Sequence, residues 1–164
     1  MTFKIYSPKT IQELASDAVG FTDGQGPLDN TSNINSQTSV LAVATSYGQL
    51  RSIGSRTLVF TNFNVSSTST VTGIELELTV TRLSRIQDSI VQLWYQGAPI
   101  GLNRANLAAA DIQRYGSNND LWDIGTVDFS DPSFGVVINL QPHTQYPSNN
   151  LIYLRELKLI LHTS

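Results

Sequence analysis

Asp120, Asp123, Asp128 and Asp131 fall within a short, turn-rich stretch, and hard-oxygen chemistry is the first reading such a group invites. Calcium takes about six to eight oxygens, often from loop carboxylates. The spacing is not that of an EF-hand, and the competing reading is aspartates that cap their own turns and strand ends. A pair of carboxylates could also flank a glycosidic bond, but nothing in the sequence sets their separation. Glu75 and Glu77 recur two residues apart in an alternating run. They therefore share one strand face, either as a solvated face or as an acid/base pair. His143 and His162 have no carboxylate or second histidine at ligand spacing, which reads as surface histidine. There is no cysteine, so disulfide frameworks, thiolate metal sites and thiol catalysis are excluded. No GxSxG elbow, phosphate-cradling glycine loop or HExxH pair occurs. The expectation is a protein that is not an enzyme, with no catalytic residue, no cofactor and no required metal.

Two residue classes suit binding rather than reaction. Arg51, Arg56, Arg82, Arg85, Arg104 and Arg114 could serve fixed protein–protein contacts or stand solvated. Trp94, Tyr95, Tyr115, Trp122 and Tyr153 could form a platform for sugar stacking, or pack in the core. Composition narrows the choice. Only 14% of the 164 residues are charged and the net charge is −3, which excludes a broad electrostatic nucleic-acid surface. The N-terminal MTFKIYSPKT lacks the apolar region of a secretory signal, and no run approaches the length of a membrane span. A soluble chain without a membrane or nucleic-acid partner is expected. The sequons at Asn30 and Asn64 are chance matches in a chain rich in Asn, Ser and Thr.

The elements that must position these groups are mostly strands. The exception is the start, where Ser7 can cap, Pro8 suits a first helical position, and Ile11, Leu14, Ala15 and Ala18 recur at helical spacing before Gly20. A turn-rich break at Asp23–Pro27 follows. From residue 39 the period becomes two. Ser39–Tyr47 and Thr57–Phe63 are β-prone, and Thr72–Leu83 alternates Ile74, Leu76, Leu78 and Val80 with polar residues. Ser89–Gln96, Ser133–Leu140 and Leu151–His162 are further strands, with a turn at Gly97-Ala98-Pro99. Leu107–Ala110 could form a helical turn, and Tyr115–Asp120 reads as loop. These features predict an all-β, antiparallel, jelly-roll-like β-sandwich over residues 28–164, with a short N-terminal helix in a segment spanning 1–27. The expected core is Ile74, Leu76, Leu78, Val80, Val91, Leu93, Val136, Ile138, Leu157, Leu159 and Leu161.

From Thr72 onward the order of features is also familiar. Gly73-Ile74-Glu75-Leu76-Glu77-Leu78 is followed by Asp88-Ser89-Ile90-Val91-Gln92-Leu93 and by Gly101-Leu102-Asn103-Arg104-Ala105. Tyr115-Gly116, Asp120-Leu121-Trp122, Phe134-Gly135-Val136-Val137 and a terminal apolar strand complete it. This order resembles small β-sandwich domains in structural proteins of tailed-bacteriophage virions, and Ser39–Phe63 fits their earlier strands more loosely. The resemblance implies structural roles for Gly101, Asn103, Arg104, Ala105, Tyr115, Gly116, Asp120, Leu121, Trp122, Phe134 and Gly135. Arg104 stands where those domains have Lys, Ser117 replaces a second Gly, and Asp123 replaces the Gly after the tryptophan.

The function implied is a virion protein made in the host cytoplasm, an assembly module on tail, neck or baseplate or a capsid decoration protein, with the tail favoured. Its partners would be other virion proteins and further copies of itself, as a dimer or trimer, since sandwich edges with little charge are poorly protected. The N-terminal apolar residues Phe3, Ile5, Tyr6, Ile11 and Leu14 need something to pack on and are the candidate docking element. The alternative is a carbohydrate-binding module that recognises a host surface glycan.

Overall fold

The computed structural model describes residues 2–14, 28–29, 43–44, 57–66, 70–82, 86–107, 110–142 and 152–164. Among them there is no helix, and the elements are strands. They are β1 (Thr2–Tyr6), β2 (Thr10–Glu13), β3 (Leu28–Asp29), β4 (Val43–Ala44), β5 (Leu58–Thr61), β6 (Val71–Arg82), β7 (Ile86–Tyr95), β8 (Ala98–Ile100), β9 (Ile112–Ser117), β10 (Gly135–Pro142) and β11 (Ile152–Thr163). All pairings are antiparallel. One sheet runs β3-β4-β11-β6-β9, with β1 also on β11, and the other runs β2-β5-β10-β7-β8. The arrangement is β-sandwich-like.

The core is the set of inward residues that alternation selects. β6 supplies Ile74, Leu76, Leu78 and Val80, all buried, with Glu75 and Glu77 on the opposite face. They meet Val91, Leu93, Val136 and Ile138 of the second sheet. On β11 a register shift between Leu154 and Glu156 lets Leu154 and Leu157 both enter the core despite their odd spacing. All eleven residues of the expected core are buried. β10 reads as continuously apolar because its other face is buried too, Val137 packing with Val59, Ile90 and Trp94.

Among the described residues the N-terminal helix is not formed. Residues 2–6 pair with the end of β11, and residues 10–13 pair with β5 in the other sheet. Between them the chain turns a corner at Pro8, which is buried, and the Lys9 N–H donates to the Thr61 and Asn62 carbonyls at 3.2 and 3.1 Å. The apolar spacing of Ile11 and Leu14 suits a helix, but β5 offers hydrogen bonds and both apolar side chains find packing there. Ile11 faces the main core and Leu14 the smaller cluster. The remaining members of that helical pattern, residues 15–20, lie outside the described residues.

Two turns also differ from expectation. Gln96 and Gly97, both at positive φ (50° and 85°), make the two-residue hairpin loop, so Ala98 and Pro99 already belong to β8. Tyr115, Gly116 and Ser117 are not loop but the end of β9, paired with Leu76, Glu75 and Ile74.

Replacing Leu78 by Ala removes side-chain volume from the centre of this core. Urea unfolding followed by the strand signal in circular dichroism should show a loss of about 2–5 kcal/mol. A loss under about 1 kcal/mol would place Leu78 outside the packed interior.

Candidate functional site

Several of the residues singled out by the resemblance, Gly101, Arg104, Gly116 and Asp120 among them, converge on Trp122. Its side chain is fully buried, and its indole N–H donates to the Ile74 carbonyl at 3.0 Å. Gly116 makes this possible. A Cβ there would lie 2.1 Å from the Ile74 oxygen and 2.6 Å from the indole nitrogen, and φ is +82°. Gly101 serves the other side: a Cβ there would lie 2.3 Å from the Trp122 carbonyl oxygen, which accepts the Leu102 N–H at 3.0 Å.

Asp120 closes the turn. Its Oδ1 accepts the Trp122 N–H and an Arg104 Nη2–H, both at 2.8 Å, and its carbonyl accepts the Ile74 N–H at 2.9 Å. The Arg104 guanidinium also lies 5.9 Å from the Trp122 ring centre. A planar fork can bond a carboxylate and face an indole together, which a point-charge lysine does less well. Trp122 itself sits at φ +57°, a left-handed conformation that costs an aromatic residue about 1–3 kcal/mol. Burying an indole removes about 150–250 Å² of surface, worth about 4–6 kcal/mol at 25 cal/mol per Å², so burial outweighs the strain.

Asn103 extends β8 with its side chain. Its Oδ1 accepts the Val91 and Ala105 N–H groups at 2.9 and 3.0 Å, and its Nδ2 donates to the Ser89 carbonyl at 3.0 Å. The Arg104 N–H continues this pairing to the Val91 carbonyl at 2.8 Å. At the same point the β7–β10 register skips Ser89, and this bulge turns Asp88 inward. The buried Asp88 Oδ2 accepts the Tyr115 hydroxyl, which in turn accepts the Asn106 N–H at 3.4 Å. Ala105 packs on the core, Leu121 is exposed, Phe134 is buried and Gly135 opens β10.

A second polar feature crosses the outer face of the first sheet. Arg114, Glu77 and Lys158 stand directly opposite one another on β9, β6 and β11. Glu77 bonds Arg114 at 2.7 Å and Lys158 at 3.2 Å. Burial pushes the Glu77 carboxyl up, but the hydrogen bonds from Arg114 and Lys158 outweigh it and hold the group below its ordinary value. Lys158 is raised by its bonds to Glu77 and Glu156. Nearby, His162 Nε2 lies 2.8 Å from Glu75 Oε1, and its ring packs against Phe3 at 5.9 Å. Glu77 is thus ion-paired across strands and Glu75 lies against His162; the two are neither freely solvated nor paired with each other.

The four aspartates do not come together. Asp120 is used at Trp122, Asp128 Oδ1 accepts the Ser130 N–H and hydroxyl at 2.9 and 2.6 Å, and Asp131 Oδ1 accepts the Ser133 N–H at 2.8 Å. Among the described residues, no three acidic or histidine side chains are grouped as a metal would need. The aromatic platform is also not assembled: Tyr115, Trp122 and Trp94 are buried, in two different clusters. The side chain of Tyr153, and residues Arg51, Arg56, Arg85 and His143, lie outside the described residues. Of the candidate docking residues, Phe3 and Ile5 are 61% and 54% exposed, whereas Tyr6, Ile11 and Leu14 pack inward. Asp88 has no role in the sequence reading, and His162, which reads there as a surface histidine, is instead buried against Glu75. An acidic residue within a strand that otherwise alternates is the signal that could have marked Asp88. No protein-family model, curated protein or solved structure compared with this chain matches it.

Gly116→Ala and Asp123→Gly should move stability in opposite directions. Alanine at 116 forces the Trp122 bond apart and should cost more than about 2 kcal/mol. Asp123 sits at φ +56°, so glycine there should stabilise by up to about 1 kcal/mol. Thermal unfolding of both variants checks this.

Glu77 should also write itself into the pH profile. Its folded pKa lies below the value of 4.5 expected when unfolded, so its contribution is present above that value and lost as pH falls through the folded one. Glu77→Gln should therefore cost about 0.5–1 kcal/mol near neutrality, and that cost should shrink as pH falls below 4.5 through the folded value. Urea unfolding of both proteins across that range measures the difference.

Proposed function

We propose that this chain is a non-enzymatic structural protein of a tailed-phage virion, an accessory assembly module with jelly-roll-like connectivity. The observation that carries the reading is the use made of the resemblance residues. Gly101, Asn103, Arg104, Tyr115, Gly116, Asp120 and Trp122 bond or make room for one another and for the strand backbones. Such residues build a rigid scaffold, and a scaffold whose marked residues mostly serve its own bonding offers surfaces and edges rather than a reacting centre. The module works on tail, neck or baseplate, or on the capsid surface, with the tail favoured by the resemblance. Its partners are other virion proteins and further copies of the chain, as a dimer or trimer. Phe3 and Ile5, exposed on one face of β1, supply apolar contact for a partner.

Sedimentation of the purified protein and its addition to particles lacking it test this reading. A dimer or trimer that binds such particles saturably is expected. The double variant Phe3→Ser, Ile5→Ser should keep the circular dichroism spectrum and lose binding. A protein that stays monomeric at high concentration and leaves the particles bare would overturn the proposal. The alternative, a receptor-recognising carbohydrate module, loses its aromatic platform but is favoured by one feature, a recess beside β1.

A further inference from the structure

We propose that the recess between β1, the start of β6, the end of β11 and residues 127–130 binds a neutral hexose unit of a glycan. Its volume is about 400 Å³, within the range of roughly 300–1,000 Å³ of small-ligand sites. Leu161, which is buried, and Phe129 give it apolar surface, and Lys4, Tyr6, Ser66 and Asp128 give it polar groups. A hexose matches that mixture. Its ring carbons present C–H groups to an apolar wall, and each hydroxyl both donates and accepts.

The polar groups divide these roles. The Asp128 carboxylate only accepts, the Lys4 ammonium only donates, and the Tyr6 and Ser66 hydroxyls do both. Ser130 bonds to Asp128 and keeps its carboxyl below the ordinary range, so it is an acceptor at neutral pH. No ion pair among the described residues engages Lys4 or Asp128. Their opposite charges leave the lining near neutral, which favours an uncharged ligand over a uronic acid. The wall is also held in place. The Asp131 N–H bonds the Asp128 carbonyl at 3.1 Å, and the Phe129 ring meets Phe134 edge-on at 5.0 Å. A preformed wall lowers the ordering cost of binding.

The inference stands apart from the assembly reading, since a glycan can be held by a virion module or by any other protein. It is tested on the full chain by amide NMR titration with methyl α-glucoside, α-galactoside and α-mannoside, using glucuronate and glycerol as controls. At least one neutral glycoside should give saturable shifts at residues 4–6 and 127–130, with glucuronate at least about tenfold weaker. Asp128→Ala should weaken binding by about tenfold or more. Asp128→Asn, which keeps an acceptor for Ser130, should do the same with the fold intact. Absence of saturable shifts at these residues, equal shifts with glycerol, tighter binding of glucuronate, or wild-type affinity in the Asp128→Asn variant would each overturn it.

Discussion

A buried indole must place its N–H on an acceptor, and this requirement at Trp122 organises one whole end of the molecule. The acceptor is the Ile74 carbonyl, a backbone group on β6. The ring reaches it across Gly116, where a side chain would occupy the same space. An unpaired N–H in that position would cost about 1–3 kcal/mol, and the room for it exists only if β9 carries glycine there. The left-handed backbone at Trp122 and Asp123 then follows, because the chain must reverse tightly to insert the ring. Asp120 and Arg104 hold the reversal from outside. Residues scattered over four separate motifs are thus consequences of one bond.

This explains why the sequence disclosed the strands more readily than the site. Ile74, Leu76, Leu78 and Val80 alternate with polar residues because one face of β6 is buried and the other is not, and alternation is a local signal. The roles of Gly101, Gly116 and Asn103 depend on atoms far along the chain, so spacing marked the residues without stating what they do. The failures were also local. Pro8 with Ile11 and Leu14 fits a helix start as well as it fits a corner followed by a strand, and only the pairing with β5 decides. Tyr115-Gly116 reads as loop because glycine usually ends strands, but here it lets the indole bond reach β6. Asp88 faces inward through a bulge at Ser89, which shifts the alternation that spacing arguments assume.

The departures from the resembled pattern now separate by mechanism. Ser117 takes no positive φ, and its backbone pairs with Ile74, so a side chain is accommodated there. Asp123 does sit in left-handed backbone, where aspartate is among the better-tolerated non-glycine residues. Arg104 replaces a single charge with a group that engages both Asp120 and the Trp122 ring. The scarce charges are concentrated in the same economical way. Glu77 bonds partners on both neighbouring strands, so one carboxylate ties β9, β6 and β11 together at a face where apolar packing contributes less.

The segment between β9 and β10 connects this anchored end to the recess beside β1. It leaves β9 at Ser117, buries Trp122, and later buries Phe134 on entering β10. Between those two aromatic anchors it is a succession of self-capped turns. Asp128 caps Ser130, Asp131 caps Ser133, and the Phe134 N–H returns to the Asp131 carbonyl at 2.9 Å. The Pro132 carbonyl accepts the Asn62 N–H at 3.1 Å, tying the same stretch to the end of β5. These aspartates therefore act as turn caps, the competing reading of their spacing, and stiffen the segment. A loop pinned at both ends and capped within has little conformational freedom left to lose. Val127 to Ser130 consequently face the recess as a fixed wall rather than a mobile flap, and its geometry is inherited from the burial of Trp122 and Phe134.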